Sequence, residues 1–152
     1  MQPNHSSSPS RWAQGLAYGG LIPFVGLALA MGFLAPLHRA LAASALLGYS
    51  ATIASFLGAI HWGLTMRDAS SPKDGMLAWG VMPSLMAWVA LLLPTASGLL
   101  LVAALLWVCF AVDRAVYPRF GIRAWLPMRR LLTVVASLCC VAAAVQLTAV
   151  AR

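Results

Sequence analysis

Apolar residues run along this chain in five long stretches, separated by short joints that carry proline or charge. Residues 16–35, 41–66, 75–93, 96–117 and 131–151 each approach or exceed the roughly 20 mostly apolar positions that a helix needs to cross a hydrocarbon core about 30 Å thick. Pro36, Arg39, Arg67, Pro94, Asp113 and Arg130 mark the edges, where apolar continuity fails or a helix is disfavoured. In the fourth stretch the unbroken part closes at Val112, and Tyr117, a residue suited to the membrane interface, extends it. The pattern predicts an all-α integral membrane bundle of five transmembrane helices forming one domain over 15–152. Ahead of it, the Ser- and Pro-rich start of the chain predicts a disordered tail over 1–14.

Composition agrees with a membrane solvent. Of 152 residues, 62% are hydrophobic and 9% charged, where a soluble domain carries about 25% charged residues. Ten Lys and Arg face three acids, all Asp, for a net charge of +7. With so few acids this excess reads as a topology signal. Alternating sides place Arg11, Arg67, Lys73, Arg114, Arg119, Arg123, Arg129 and Arg130 together, against Arg39 and Arg152 on the other side. The positive-inside rule then puts the N-terminus in the cytoplasm and the C-terminus outside. Ala28-Leu29-Ala30 has the small-x-small form of a signal-peptidase site, but the apolar run continues to Ala35, longer than a signal peptide requires. A lone Arg11 makes a poor transit peptide, so a bacterial inner membrane is the expected location. Cys109, Cys139 and Cys140 all lie in apolar runs, which argues against a disulfide framework.

The second stretch carries Ser44, Gly48, Thr52, Ser55, Ala59 and Gly63 at helical spacing, a stripe of small residues expected to receive another helix. His61 points almost opposite that stripe. Pro23 and Pro83 each predict a local irregularity in their helices. Under the derived topology, His61, Trp62, Trp79, Ser84, Asp113 and Tyr117 share one half of the membrane. Two arrangements are open. His61 and Asp113 meet, orienting an imidazole that could relay a proton or hold a polar ligand. Otherwise His61 rests on a backbone carbonyl and Asp113 pairs with Arg114 or Arg67.

No haem clamp or metal site is expected. His38 and His61 are 23 residues apart on one helix, about 35 Å at 1.5 Å per residue, and Cys139 and Cys140 point about 100° apart. No cofactor is therefore predicted. The stretch from Asp113 to Arg130 mixes Arg114, Arg119, Arg123, Arg129 and Arg130 with Tyr117, Phe120 and Trp125. Bases and aromatics at a membrane boundary suit a plain topogenic anchor or a segment in contact with anionic lipid, rather than nucleic acid.

Ser55-Phe-Leu-Gly-Ala-Ile-His-Trp-Gly63, Trp79-Gly-Val-Met-Pro-Ser-Leu-Met-Ala-Trp88, Asp113-Arg and Tyr117-Pro, with the Arg-rich stretch ending in Leu132-Thr133, resemble the transmembrane protein 69 family, also called domain of unknown function 3429. The resemblance implies a five-span inner-membrane protein and attaches no established activity. It places His61, Trp62, Trp79, Pro83, Ser84 and Asp113 in shared family motifs.

Three function classes follow. Short loops and few polar residues favour a non-catalytic accessory, assembly or lipid-organising component with a membrane-protein partner or a homo-oligomeric state. A small oligomeric transporter or channel would place His61 and Asp113 in its pathway. A membrane-embedded enzyme on a lipid or quinone is the least favoured, since no nucleophile or metal set accompanies them. The topology has a direct test: alkaline phosphatase fused to the C-terminus is expected to be active. A stably inserted but inactive fusion contradicts it.

Overall fold

The computed structural model describes residues 8–67 and 74–150. Half of the expected tail, residues 1–7, lies outside the described residues, and its last part, from Arg11, is helical. The protein spans the membrane five times, and the first crossing is made of two short helices, α1 (Arg11–Gly19) and α2 (Ile22–Ala30). Ser10 starts α1 five residues before the apolar stretch, its hydroxyl accepting the Ala13 N–H at 3.1 Å. The break between α1 and α2 has a covalent cause. Pro23 lacks an N–H and its ring would collide with the carbonyl one turn earlier, so the helix stops and restarts with Pro23 in its first turn. The Tyr49 hydroxyl donates to the Gly20 carbonyl at the break, at 2.9 Å.

α3 (Pro36–Arg67) is one unbroken helix of 32 residues, and it contacts α2, α4, α5 and α6. Pro36 opens it rather than ending the previous element, because a proline in a first helical turn loses no hydrogen bond. The buried face carries Ala43, Leu46, Leu47, Ser50, Ala54, Leu57, His61 and Leu64. The stripe expected to pack, Ser44, Gly48, Thr52, Ser55, Ala59 and Gly63, instead lies on the exposed or half-exposed side. This corrects the sequence reading. An Ala-rich helix carries more than one line of small residues, and the chosen face is the one where Ala and Ser alternate with Leu that fills the space between backbones.

α4 (Asp74–Leu92) crosses α3 at Gly58 and Gly80. A Cβ on Gly58 would collide with the Gly80 carbonyl oxygen, and one on Gly80 would enter the Trp62 indole. Pro83 is buried in the same crossing, its ring against Gly58. Leu93 and Pro94 lead directly into α5 (Thr95–Val116). Beyond α5 the chain runs through two 3₁₀ turns, Tyr117–Phe120 and Arg123–Trp125, joined at Gly121 with φ +71°. That left-handed conformation favours glycine.

α6 (Leu126–Val150) begins five residues before the predicted stretch, with Pro127 in its first turn. Arg129 and Arg130 are therefore helical. Met128, Arg129, Thr133, Ala136, Ser137, Cys140, Ala143 and Ala144 form its buried side. The main core lies between α3, α5 and α6 around Leu46, Leu99, Val102, Leu106 and Cys140, with Phe24 and Met31 closing it from the first crossing. At that edge Gln146 donates to the Ala28 carbonyl at 3.3 Å.

Candidate functional site: a buried arginine–aspartate–histidine cluster

Three buried stripes converge at one end of the bundle. On α3 the line Ser50, Ala54, Leu57 reaches His61; on α5 the line Leu99, Val102, Leu106, Cys109 reaches Asp113; on α6 the line Cys140, Ala136, Thr133 reaches Arg129. Each step is three or four residues, so each polar group occupies the next position of an apolar helical face. That phase, and not local polarity, turns these three side chains inward.

Asp113 and His61 are each 1% exposed, and Arg129 is 7%. Arg129 Nε and Nη2 both donate to Asp113 Oδ2, at 2.9 and 2.6 Å. The other carboxylate oxygen, Oδ1, faces His61 Nε2 at 3.6 Å, too far for a good hydrogen bond. His61 Nδ1 lies 3.3 Å from the Leu57 carbonyl oxygen. Both ring nitrogens thus look at oxygens, and a neutral imidazole carries only one N–H to offer them. The Trp79 ring packs edge-on to His61, with centroids 6.4 Å apart.

His61 and Asp113 meet, and the partner of Asp113 is Arg129, neither Arg114 nor Arg67. Among the five arginines read as lipid contacts, Arg114, Arg119, Arg123 and Arg130 are exposed, whereas Arg129 is turned into the bundle. Its inward role escapes a reading that treats residues before 131 as loop. The signal was the three-four spacing of Thr133, Ala136 and Cys140, which extends back to Arg129. Thr133 is a second buried polar residue missed that way; it is 2% exposed and its hydroxyl has no hydrogen-bond partner.

The remaining expected residues surround the cluster. Trp62 donates its indole N–H to the Leu77 carbonyl at 3.0 Å and ties α3 to α4. Trp79 has its indole nitrogen buried without a partner. Tyr117 is 3% exposed and packs with Leu64 and Val116 under the 3₁₀ turns. Pro83 belongs to the α3–α4 crossing, and Ser84 is half-buried beside it.

Comparison with known proteins places the chain. The family model described as "Protein of unknown function (DUF3429)" matches residues 9–145. The chain belongs to the DUF3429 family. It is 35% identical over 127 residues to "Transmembrane protein 69" of Xenopus tropicalis, covering 80% of this chain and 49% of that protein. This DUF3429 chain thus spans about half the length of the curated relative it matches. No solved structure matches it.

A charge in the membrane is costly unless paired, and removing one partner of a buried pair costs about 3–5 kcal/mol because the other charge is stranded. Neighbouring arginines are therefore expected to differ sharply. Arg129→Gln should lower unfolding stability in mild detergent by that amount, while Arg130→Gln should shift it by under about 0.5 kcal/mol, as exposed substitutions do. Equal effects would place Arg129 outside the cluster.

Proposed function

We propose that this DUF3429 protein is a non-catalytic component of a bacterial inner membrane, an accessory, assembly or lipid-organising protein built as a small fixed unit. In this reading the Arg129–Asp113–His61 cluster is a latch that holds the ends of α3, α5 and α6 together. The observation that carries it is where the polar groups are spent. Arg129 commits two donors to Asp113, and neither Asp113 nor His61 lines the cavities of 560 and 330 Å³ on the bundle. Pathway residues need a wet cavity, and a catalytic base needs reach to its substrate. Asp113 and His61 meet neither condition, and Arg129, which reaches the larger cavity, is tied to Asp113 by two hydrogen bonds.

Orientation follows from charge. Arg11, Arg67, Arg114, Arg119, Arg123 and Arg130 are exposed at the end that holds the latch, and Arg39 sits at the opposite end of α3. The latch end is cytoplasmic in this reading, which puts the N-terminus inside and the C-terminus outside. Its exposed arginines lie where anionic lipid headgroups would meet them. One observation favours a second reading: His61 Nε2 is buried without a hydrogen bond and faces a carboxylate, as a group in a proton pathway would.

Purification from native membranes in mild detergent separates the two. A stoichiometric protein partner, absent from a topology-matched control, is expected. A lone chain whose proteoliposomes dissipate a pH gradient, and lose that activity with His61→Ala, would overturn the accessory reading.

A further inference from the structure

The first crossing does not close fully against α3 and α6. Between them lies a groove of about 560 Å³, within the roughly 300–1,000 Å³ typical of small-molecule sites. Its lining is sorted along its length. Toward the membrane centre it is apolar, with Phe24, Ile53, Leu57, Leu106 and Ala136. Its polar lining residues, Arg67, Tyr117, Arg129 and Thr133, are confined to the latch end, where they stand among Ile122, Trp125 and Met128. From Arg67 to Ile53 is 14 residues of α3, about 21 Å at 1.5 Å per residue and about two thirds of a hydrocarbon core about 30 Å thick.

We infer that this groove seats one anionic membrane lipid, its acyl chain along α2, α3 and α6 and its phosphate at Arg67, Arg129 and Thr133. This deepens the lipid-organising part of the proposed function and rests on it. Two observations carry it independently of exposed charge. Thr133 lines the groove, and its hydroxyl is buried without a hydrogen-bond partner. Arg129, whose Nε and Nη2 go to Asp113, also lines the groove beside Tyr117. Charge selects the headgroup. Among the described residues this end carries Arg11, Arg67, Arg114, Arg119, Arg123, Arg129 and Arg130 against Asp74 and Asp113, so an anion is attracted and a zwitterion is not. A partner helix would bring apolar side chains to the deep half but no anion to the polar end. A lipid brings both, at the depth where its headgroup already resides.

The test uses the full chain in mild detergent, folding being checked by circular dichroism and gel filtration, with dioleoyl phosphatidylglycerol or dioleoyl phosphatidylcholine added and native mass spectrometry as readout. One phosphatidylglycerol per chain is expected, retained at least tenfold better than phosphatidylcholine. Arg67→Gln combined with Thr133→Val should abolish that preference, and both changes leave the Asp113–Arg129 pair intact. Arg114→Gln combined with Arg119→Gln, outside the groove, should preserve it. Equal retention of the two lipids would overturn the inference, as would equal loss in both double variants, which would mean surface charge alone. A folded chain that binds neither lipid would overturn it too, and a protein partner recovered from native membranes would then leave the accessory reading standing.

Discussion

An unpaired charge has no stable place inside a helical membrane bundle, and that constraint organises this protein. Asp113 sits where the apolar phase of α5 turns it inward, among residues that offer little solvation. The guanidinium of Arg129 supplies the compensation, and it can do so only if α6 starts early enough to carry Arg129 on its buried face. The early entry into α6, reached through two 3₁₀ turns and the left-handed Gly121, is what brings Arg129 to Asp113. His61 then sets the third side, since its ring fills the space between Oδ1 and the Leu57 carbonyl.

The flanks are held by other means. Between α3 and α4, backbones approach through Gly58 and Gly80, and Trp62 bridges the crossing by donating to Leu77. Membrane helices gain little from apolar burial against one another, so close approach and interhelical hydrogen bonds supply the association. The Trp107 indole donating to Ser137 at 3.1 Å performs the same office between α5 and α6. The first crossing is held more loosely: α1 buries no residue, and its break at Gly20 is secured by a single hydroxyl from Tyr49. The groove lies along this loosely held wall, where a lipid can enter without unpacking the core.

Much of the architecture was readable from the sequence because its strongest signal, apolar length, is what a bilayer selects. The five crossings and the shared end of His61 and Asp113 follow from length and alternation. Three features did not follow. Pro36 and Arg130 read as boundaries, whereas proline is favoured in a first turn and Pro36 and Pro127 each open a helix; starting the fifth stretch at 131 hides the helical start of α6 and with it the role of Arg129. The small-residue stripe of α3 was assigned to packing, but small side chains permit close approach on any face and do not choose one. The contact between His61 and Asp113 depends on the rotation of α3 relative to α5, which sequence spacing within either helix leaves open. The family resemblance singled out the motif residues, and the family itself attaches no activity to them.

The central claim is that Asp113 and Arg129 act as one unit that holds α5 to α6. A double-mutant cycle on unfolding stability in mild detergent measures this directly, with Asp113→Asn, Arg129→Gln and the two combined. The account predicts that the double variant loses less than the two singles together, by a coupling on the order of 1–3 kcal/mol, because removing both charges strands neither. Strictly additive losses would contradict it and show that the two side chains contribute to the fold independently.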